Sequence, residues 1–566
     1  MRHFNHAYPT AARRLLAAAL LAASGAALAG GPLPVMTVGN GPGCHHATLG
    51  AALAAAGSAV EIRIAAAELT LGTAAVISDR QVRIVGGYTS CSAASSGGSS
   101  ILRGTAPGAP VLAIDDDVSG GFAVELVNLR ITGGSNVASG GGIQTVGTGT
   151  LVLSNTHVYG NQALDGGGLY VDGDGAAATI VDLRGDSRIG GPGGGNLATR
   201  HGGGLYCTQA LLRLGHVRIG DNLASEGGGG LRLVDCDVLP LDEPGDTLIA
   251  GNRAKDGAGI HAMGGSTLLL ASTSTRQVAI IDNQAIEGAS PQRGGGVYLT
   301  GAGTRMVGAG LWIQGNRAVL GGGGLFLTAG AKATLGRAPG ICALGDSGCS
   351  RLDDNRAAQL NGSAGDGGGA LVLGGSQLLL AHTRIRGNQA GNNAVLRVNG
   401  IGSTASLDNV LISGNQSAGR LLSLEASAAV DVDFLTLADN AFDSSAIQTA
   451  AGTTLALQRS ILQLGAGQGA VAGAGTLTVA CNNSNDAALG GFTHDPGFAD
   501  PVSGNYRLRP NSQNLDRCAA DGNEALTDIS GQPRNRDRSE IPDNIGPLDR
   551  GAYEDADELL RDGFES

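Results

Sequence analysis

The sequence predicts an all-β fold, a parallel β-helix, and three observations support that prediction. Glycine supplies 97 of 566 residues and aromatic residues only 3%, so few large side chains are available for a conventional globular core. A phrase of the type GNxA…GGG recurs along the chain, and short alternating apolar segments flank its copies. Because 42% of the residues are nevertheless hydrophobic, we expect thin layers stacked on small side chains rather than disorder.

The repeated phrase centres on an asparagine, and neighbouring copies lie 25 to 39 residues apart. A period of this length is typical of solenoids, propellers and other arrays. No copy contains a long amphipathic helical pattern, which excludes α-solenoids and βαβ units. Trp312 is the only tryptophan, which disfavours the periodic aromatics of propeller blades. The anchoring asparagines are Asn136, Asn161, Asn196, Asn222, Asn252, Asn283, Asn316, Asn355, Asn388, Asn415 and Asn440.

Each recurring residue type has a physical role in such a coil. Asparagine tolerates the left-handed turn conformation, and asparagines stacked about 4.8 Å apart can form a hydrogen-bonded ladder. Alanine follows two positions later in nine of eleven copies and fits a tight turn, while the glycines permit positive φ and close backbone approach. We therefore interpret the following residues as structural turn asparagines: Asn161, Asn196, Asn222, Asn252, Asn283, Asn316, Asn355, Asn388 and Asn415.

The two ends of the chain differ from the repeats. Residues 1–29 contain a basic pair, Arg13 and Arg14, then an apolar stretch and a small-residue cleavage site, which predicts a secretory signal peptide. Residues 30–60 are a predicted N-terminal cap with one short helix within 47–57. Residues 61–480 are the predicted β-helix repeats, and residues 481–566 a C-terminal cap and tail, because a solenoid exposes strand edges at its ends.

The charge balance restricts the partners. Removal of Arg2, Arg13 and Arg14 with the signal peptide lowers the basic residues from 37 to 34 against 49 acidic residues, a net charge of −15. This acidic excess argues against non-specific binding to nucleic acid or to an anionic polymer, and we expect no nucleic-acid partner. After signal removal, no stretch is long and apolar enough to span a membrane. We expect a monomer.

Eight cysteines in an exported chain predict disulfide bonds. The simplest pairing joins neighbours along the chain, but the sequence leaves the connectivity open, and Cys207 and Cys236 do not occupy matching positions after their glycine runs. Zinc is a poor alternative, because the sequence has no C-x₂-C pair. The neighbour pairs are Cys44–Cys91, Cys207–Cys236, Cys342–Cys349 and Cys481–Cys518.

From about Cys481 the repeat stops, and the segments HDPGFADP, YRLRPNSQNLD, TDISGQPR and DRGAYE follow. Through them the chain resembles bacterial exported β-helix proteins of the choice-of-anchor type, and its repeats are similar to those of polymorphic outer-membrane proteins. The resemblance implies a right-handed, pectate-lyase-like solenoid, exported to the exterior or the outer-membrane surface of a Gram-negative bacterium. The matching residues are Asp495, Pro496, Phe498, Tyr506, Leu508, Ser512, Asp516, Asp528, Gly531, Pro533, Arg534, Asp549, Gly551, Ala552, Tyr553 and Glu554, with Arg550 where the family usually has isoleucine.

Two classes of function compete. The first is a non-catalytic surface or secreted scaffold, structural or adhesive, that binds extracellular polysaccharide or a cell-surface partner. The second is a polysaccharide lyase or glycoside hydrolase, because many right-handed β-helices cleave acidic sugars. We favour the scaffold, to which we assign no catalytic residue, no metal and no cofactor.

The nearest candidates for a lyase site are His382, Arg384 and Arg386, which alternate along one predicted strand and would share a face outside the coil. A uronate lyase needs a base and often Ca²⁺ held by acidic residues, but the neighbouring coils place no acidic cluster beside these three. A hydrolase needs two facing carboxylates, which adjacent coils could supply from Asp256 and Glu226.

Overall fold

The computed structural model describes residues 32–115, 121–173, 179–191, 194–286, 292–338, 350–358, 365–486, 489, 493–522, 524–534 and 546–554. These residues form an all-β parallel solenoid of about 14 turns, which confirms the predicted fold class. The right-handed sense of the coil remains a prediction. The signal peptide, the Cys342–Cys349 pair and the tail beyond residue 554 lie outside the described residues.

The solenoid is built from three parallel sheets. The first sheet has 28 strands in the described chain, which are β1 (Val35–Val38), β2 (Ala59–Ile64), β3 (Glu68–Leu71), β5 (Gln81–Val85), β6 (Ser100–Gly104), β8 (Phe122–Val127), β9 (Leu129–Thr132), β11 (Gly149–Ser154), β12 (His157–Val158), β15 (Thr179–Arg184), β16 (Ser187–Gly190), β19 (Leu211–Leu214), β20 (Val217–Gly220), β23 (Asp237–Pro240), β24 (Thr247–Ala250), β27 (Thr267–Ala271), β28 (Val278–Ile281), β31 (Arg305–Ala309), β32 (Trp312–Gln314), β35 (Lys332–Gly336), β36 (Ser350–Asp353), β39 (Gln377–Arg386), β42 (Thr404–Ser413), β45 (Ala429–Ala438), β47 (Thr454–Gln458), β48 (Ile461–Leu462), β50 (Thr476–Ala480) and β51 (Asn483–Ser484).

The second sheet receives one strand from each turn, and its 14 described strands are β4 (Ala75–Ser78), β7 (Leu112–Asp115), β10 (Ile143–Val146), β14 (Leu169–Asp172), β18 (Leu205–Thr208), β22 (Leu231–Val234), β26 (Ile260–Met263), β30 (Val297–Thr300), β34 (Leu325–Thr328), β38 (Ala370–Leu373), β41 (Ala394–Asn399), β44 (Arg420–Glu425), β46 (Ser445–Thr449) and β49 (Gly469–Gly473). The third sheet is narrow, and its nine described strands are β13 (Gln162–Asp165), β17 (Leu197–His201), β21 (Leu223–Ala224), β25 (Arg253–Ala254), β29 (Gln284–Ala285), β33 (Arg317–Ala318), β37 (Arg356–Ala357), β40 (Gln389–Ala390) and β43 (Gln416–Ser417).

Equivalent residues of successive turns lie directly above one another. Leu169 pairs with Leu205, and Leu205 pairs with Leu231, so apolar residues stack on apolar residues. Because strand side chains alternate, Leu169 and Val171 are buried inside the coil while Tyr170 faces outward. The inward columns join into one continuous core that runs from Val38 to Leu489.

The first sheet bends at a corner where the chain adopts the left-handed conformation. In the long strands β39, β42 and β45 the corner residues are His382, Asn409 and Phe434, with φ of 48°, 55° and 51°. In an earlier turn Asn155, with φ of 48°, separates β11 from β12. In these turns the corner divides the first sheet into two ladders of strands.

The asparagines form a continuous ladder between the first and third sheets. From Asn161 to Asn440, each side-chain amide donates a hydrogen bond of 2.9–3.1 Å to the Oδ1 atom of the next asparagine. Each amide also donates to a main-chain carbonyl of the preceding turn, as Asn283 does to Ile249 at 3.0 Å. The ladder therefore satisfies polar groups that the turn buries away from water.

Asn136 does not belong to this ladder. The N–H group of Gly134 donates to Asn161 Oδ1 at 3.0 Å, so Gly134 occupies the equivalent place in that turn. The Asn136 side chain instead closes its own local turn, bonding to Ser139 and Ala138. Asn136 therefore matches the repeated phrase in sequence but does not occupy the ladder position in the structure.

The run of glycines in each phrase is required by backbone conformation and close packing. Gly322 has a φ of +65°, in the left-handed region that favours glycine. A Cβ atom on the next glycine, Gly323, would lie 2.5 Å from the carbonyl oxygen of Gly368 in the following turn. The glycines of the repeated phrase are therefore required by the turn conformation and by the close packing of successive turns.

The described N-terminal region contains one α-helix, α1 (Leu49–Ala55). The Thr48 hydroxyl accepts a hydrogen bond from the Ala51 N–H at 3.2 Å, which begins the helix. Leu49, Ala52 and Leu53 are buried, and the helix packs against β1 and β4. Its role as a cap of the solenoid remains a prediction.

The described residues of the C-terminal segment (493–522, 524–534 and 546–554) pack against the outer side of the first sheet at the last turns. It contributes an antiparallel pair, β52 (Phe498–Asp500) and β53 (Asn505–Leu508), and shares an apolar cluster with Leu411 and Ile461 of the solenoid. Arg534 is almost fully buried, lies 3.6 Å above the Phe434 ring and pairs with Glu554 at 3.1 Å. Motif residues of the C-terminal segment therefore hold it to the coil.

Three disulfide bonds lie in the described residues. Cys44 bonds to Cys91 near the N-terminus, Cys207 to Cys236 between adjacent turns, and Cys481 to Cys518 between the last turns and the C-terminal segment. Among the described residues, no helix is long and apolar enough to cross a membrane.

We predict that Asn283→Ala lowers the free energy of unfolding by about 3 to 5 kcal/mol relative to the wild type. Buried partners in the turns on both sides lose their hydrogen bonds in this variant. Asn136→Ala, outside the ladder, is the matched control and should cost about 1 kcal/mol or less. Denaturant unfolding measures both. Equal losses in the two variants would contradict a special role for the ladder.

Candidate functional site

His382 lies at the corner of the first sheet beneath the C-terminal segment. Its Nε2 atom is 3.1 Å from both the carbonyl and the hydroxyl oxygens of Thr527. Burial lowers the pKa of His382 to about 4, so the imidazole is neutral at neutral pH. This histidine therefore joins the C-terminal segment to the coil.

Arg384 forms an ion pair with Asp353 of the preceding turn through both its Nε and a terminal nitrogen. The two side chains are only 12% and 4% exposed, so the pair is largely removed from water. Burial raises the pKa of the Asp353 carboxyl, and Arg384 opposes that rise. In this arrangement the guanidinium compensates a buried carboxylate.

Arg386 is exposed and lines a cleft of about 340 Å³ between the solenoid and the C-terminal segment. Across this cleft the Tyr506 hydroxyl donates to Asp439 at 2.9 Å. Burial, reinforced by that carboxylate, raises the pKa of Tyr506 to about 12. The structure thus places His382, Arg384 and Arg386 in three different environments instead of along one open face.

The two carboxylates considered for a hydrolase each have a cation. Asp256 pairs with Arg293 at 2.8 Å, and Glu226 pairs with Lys255 at 3.1 Å. Among the described residues, no group of three or more His, Cys, Asp or Glu side chains is arranged to hold a metal ion.

A different surface brings chemically distinctive side chains together. The residue at the second position of most second-sheet strands points outward, and register places these residues in one column across eight turns, which we name the outer stripe. Its members are Tyr170, Tyr206, Arg232, His261, Tyr298, Phe326, Leu371 and Arg397.

The aromatic members of the outer stripe stack on one another. Tyr170 and Tyr206 have ring centroids 5.3 Å apart, and His261 and Tyr298 have centroids 4.5 Å apart, with nearly parallel planes in both pairs. Phe326 meets Tyr298 edge to face at 4.8 Å. Because parallel rings stacked along the axis turn their faces toward each other, they present edges and hydroxyl groups outward.

Acidic residues flank the outer stripe, and arginines neutralise them. Asp165 pairs with Arg200, Asp256 with Arg293, and Asp366 with Arg397. Arg293 also lies over the rings of Tyr298 and Phe326 at 5.1 and 5.5 Å. The column therefore combines aromatic, hydroxyl and guanidinium groups along the solenoid axis. Its Tyr170 and Tyr206 rings are half-buried, and its members from Arg232 to Leu371 are only 3–8% exposed.

The centre of the stripe holds buried nitrogen atoms with no hydrogen-bond partner among the described residues. They are Nε and Nη1 of Arg232, Nδ1 of His261 and Nδ1 of His201. Burial lowers the pKa of Arg232, lowers that of His261 well below its usual value, and lowers that of His201 to about 4. Both histidines are therefore neutral at neutral pH.

The outer stripe is not among the predicted sites, although the sequence contains its pattern. Alignment of the copies on the last glycine of each run places Tyr170, Tyr206, Arg232, Tyr298 and Phe326 at the same offset, two residues later. Only the structure shows that this offset faces outward and that successive copies lie in contact.

No protein-family model and no curated protein matches this chain. The resemblance to choice-of-anchor proteins therefore remains a prediction, while the parallel β-solenoid is shown by the structure.

We predict that the stability of the protein falls with acidification partly through His382. The unfolded imidazole takes up a proton near pH 6.5 and the folded one only near pH 4, so protons favour unfolding as the pH falls through this window. Between pH 7 and pH 5 the wild type should lose about 2 kcal/mol more than His382→Asn, in which asparagine tolerates the left-handed backbone.

Chemical unfolding at the two pH values measures this difference. His216→Asn, at a histidine whose side chain is 43% exposed, is the control and should follow the wild type. A His382→Asn variant with the same pH dependence as the wild type would refute the assignment.

We predict that Arg384→Ala lowers the free energy of unfolding by about 3 to 5 kcal/mol, because it leaves Asp353 charged and buried without its partner. Arg386→Ala, two residues along the same strand but exposed, should change it by about 0.5 kcal/mol or less. Denaturant unfolding of the pair provides the comparison. Similar stability of the two variants would argue against a structural role for Arg384.

Proposed function

We propose that this protein is an exported, non-catalytic binding scaffold that acts outside the cell or at the outer-membrane surface. Its contact surface is the outer stripe together with the flanking Asp–Arg pairs. The expected ligand is an extended extracellular polysaccharide or a cell-surface partner. One observation supports this more than any other: a single column of aromatic and cationic side chains runs in register across successive turns.

The geometry of the stripe suits an extended ligand. From Tyr170 to Phe326 the column covers five steps between turns, or about 24 Å at about 4.8 Å per step. Tyrosine hydroxyls and arginine guanidinium groups bind polar ligands, and the rings add apolar area at little conformational cost. A linear polymer lying along the axis would contact Tyr170 and Tyr206 most fully, because the stripe members from Arg232 to Phe326 are only 3–8% exposed.

The roles of the lyase candidates also support a scaffold. Thr527 engages His382, and Asp353 engages Arg384, so both side chains already stabilise the fold. Export is supported by the three disulfide bonds, which are typical of oxidising compartments. Membership of the choice-of-anchor type is part of the proposal and rests on the C-terminal motif, in which Arg534 and Glu554 pair.

The alternative remains a polysaccharide lyase or glycoside hydrolase, with Ca²⁺ as a cofactor of the lyase. The arginine-rich outer face is the feature that this alternative would use. A binding assay combined with a cleavage assay separates the two functions.

The test uses the mature chain and immobilised acidic and neutral polysaccharides, with and without Ca²⁺. We predict binding, and at least a tenfold weakening, about 1.4 kcal/mol, in Tyr170→Ala/Tyr206→Ala, because these half-buried rings form the open end of the stripe. Trp312→Ala is the matched control, since Trp312 lies on the first sheet against Arg351, and it should bind like the wild type.

Reducing ends and the ultraviolet absorbance of new double bonds are followed in the same samples. Binding without either product supports the scaffold. New reducing ends with absorbance would identify a lyase, and reducing ends alone a hydrolase. Binding that survives in the double tyrosine variant would exclude the outer stripe as the contact surface.

A further inference from the structure

We propose that Arg232, with His261 and His201 beside it, is an anion subsite at the centre of the outer stripe, which receives a carboxylate or sulfate group of an acidic polysaccharide. This inference rests on the proposed function, because it assigns the chemical class of the ligand that the outer stripe binds.

Arg232 lies in β22 on the outer side of the coil. Its neighbours along the strand, Leu231 and Leu233, point into the core, so Arg232 points outward. It lies between Tyr206 of the preceding turn and His261 of the following turn. The guanidinium is therefore a member of the binding surface, and only 8% of the residue is exposed.

The Arg232 guanidinium lacks an oxygen acceptor among the described residues. The Nε and Nη1 atoms have no hydrogen-bond partner, and the polar contact of the remaining nitrogen is the Met263 sulfur at 2.8 Å, a weak acceptor. The nearby carboxylates Asp165 and Asp256 are paired with Arg200 and Arg293. Asp165 and Asp256 interact with Arg232 only through space, and no carboxylate is hydrogen-bonded to it among the described residues, so a ligand anion would gain a strong charge-assisted interaction.

His261 and His201 lie close to the Arg232 guanidinium. A Cβ atom on Gly227 would lie 2.5 Å from His261 Nδ1 and 3.4 Å from Arg232 Nη1, so both groups share the space over one glycine. His201 is the residue paired with Gly227 in the preceding turn. Neutral imidazoles can donate a hydrogen bond to an anion without adding a buried charge.

The charge of the whole chain makes the proposed subsite selective among anionic polymers. The mature chain is acidic overall, which disfavours indiscriminate attachment of anionic polymers. One uncompensated guanidinium, bounded by aromatic residues on both sides, instead favours an anion carried by a chain that also contacts the rings. An acidic polysaccharide lying along the stripe meets both requirements.

The experiment measures binding of the mature chain to polygalacturonate and to its fully methyl-esterified form, in which the same backbone carries no charge. Dextran sulfate and dextran form a second pair and distinguish sulfate from carboxylate. The variants are Arg232→Gln, Arg232→Lys, Tyr170→Ala/Tyr206→Ala and, as a matched control, Arg351→Gln. Arg351 is a partly buried arginine on the first sheet, away from the stripe.

We expect the wild type to prefer at least one charged polymer over its uncharged counterpart by tenfold or more. Arg232→Gln should abolish this preference, so that the charged and the uncharged polymer bind with similar affinity. Arg232→Lys should restore part of the preference, because it retains the charge without the planar fork. Arg351→Gln should match the wild type. The melting temperature of Arg232→Gln should be equal to or above that of the wild type, since the variant removes an uncompensated buried charge.

The outcomes separate this inference from the proposed function. If polymers bind and the double tyrosine variant weakens binding, but Arg232→Gln keeps the charge preference, the stripe is the contact surface and the anion subsite is refuted. If charged and uncharged polymers bind equally, the subsite is also refuted. If no polymer binds, the polysaccharide form of the proposed function fails together with the subsite.

Discussion

The asparagine ladder is the interaction on which the rest of this molecule depends. A narrow coil must bury the polar groups of its turns, and neither water nor a regular strand pairing reaches all of them. Each ladder asparagine bonds to the turn below and the turn above, as Asn283 does with Ile249 and Asn316. The ladder thereby maintains one register between successive turns, and the columns of stacked side chains in the sheets follow that register.

Because successive turns share one register, residues at the same position of each repeat form a continuous column. Once Leu169, Leu205 and Leu231 are stacked inside, the residues that follow them must stack outside. The inward columns are interchangeable aliphatic residues, whereas the outward column changes from tyrosine to arginine to histidine within a few turns. The core therefore does not constrain the outward residues, and their chemistry can differ from turn to turn.

An outward column of the first sheet changes its residue type where the C-terminal segment covers it. Arg351 and Arg384 stand in one outward column of the first sheet, and that column continues as Leu411, Thr436 and Ile461 where the segment covers it. A surface that is charged in the open turns becomes apolar where it is covered. The buried guanidinium of Arg534 then fixes the segment on Phe434, Asn409 and Glu554.

The sequence by itself determined the parallel β-solenoid, the turn asparagines and the glycine runs, because each of these is a local requirement of the backbone repeated at a readable period. Only the tertiary structure decided which residues meet across turns. It excluded Asn136 from the ladder, buried His382 under Thr527, and aligned Arg232 with Tyr206 and His261. Turn lengths vary from 25 to 39 residues, so contacts between turns depend on three-dimensional register that spacing along the chain does not specify.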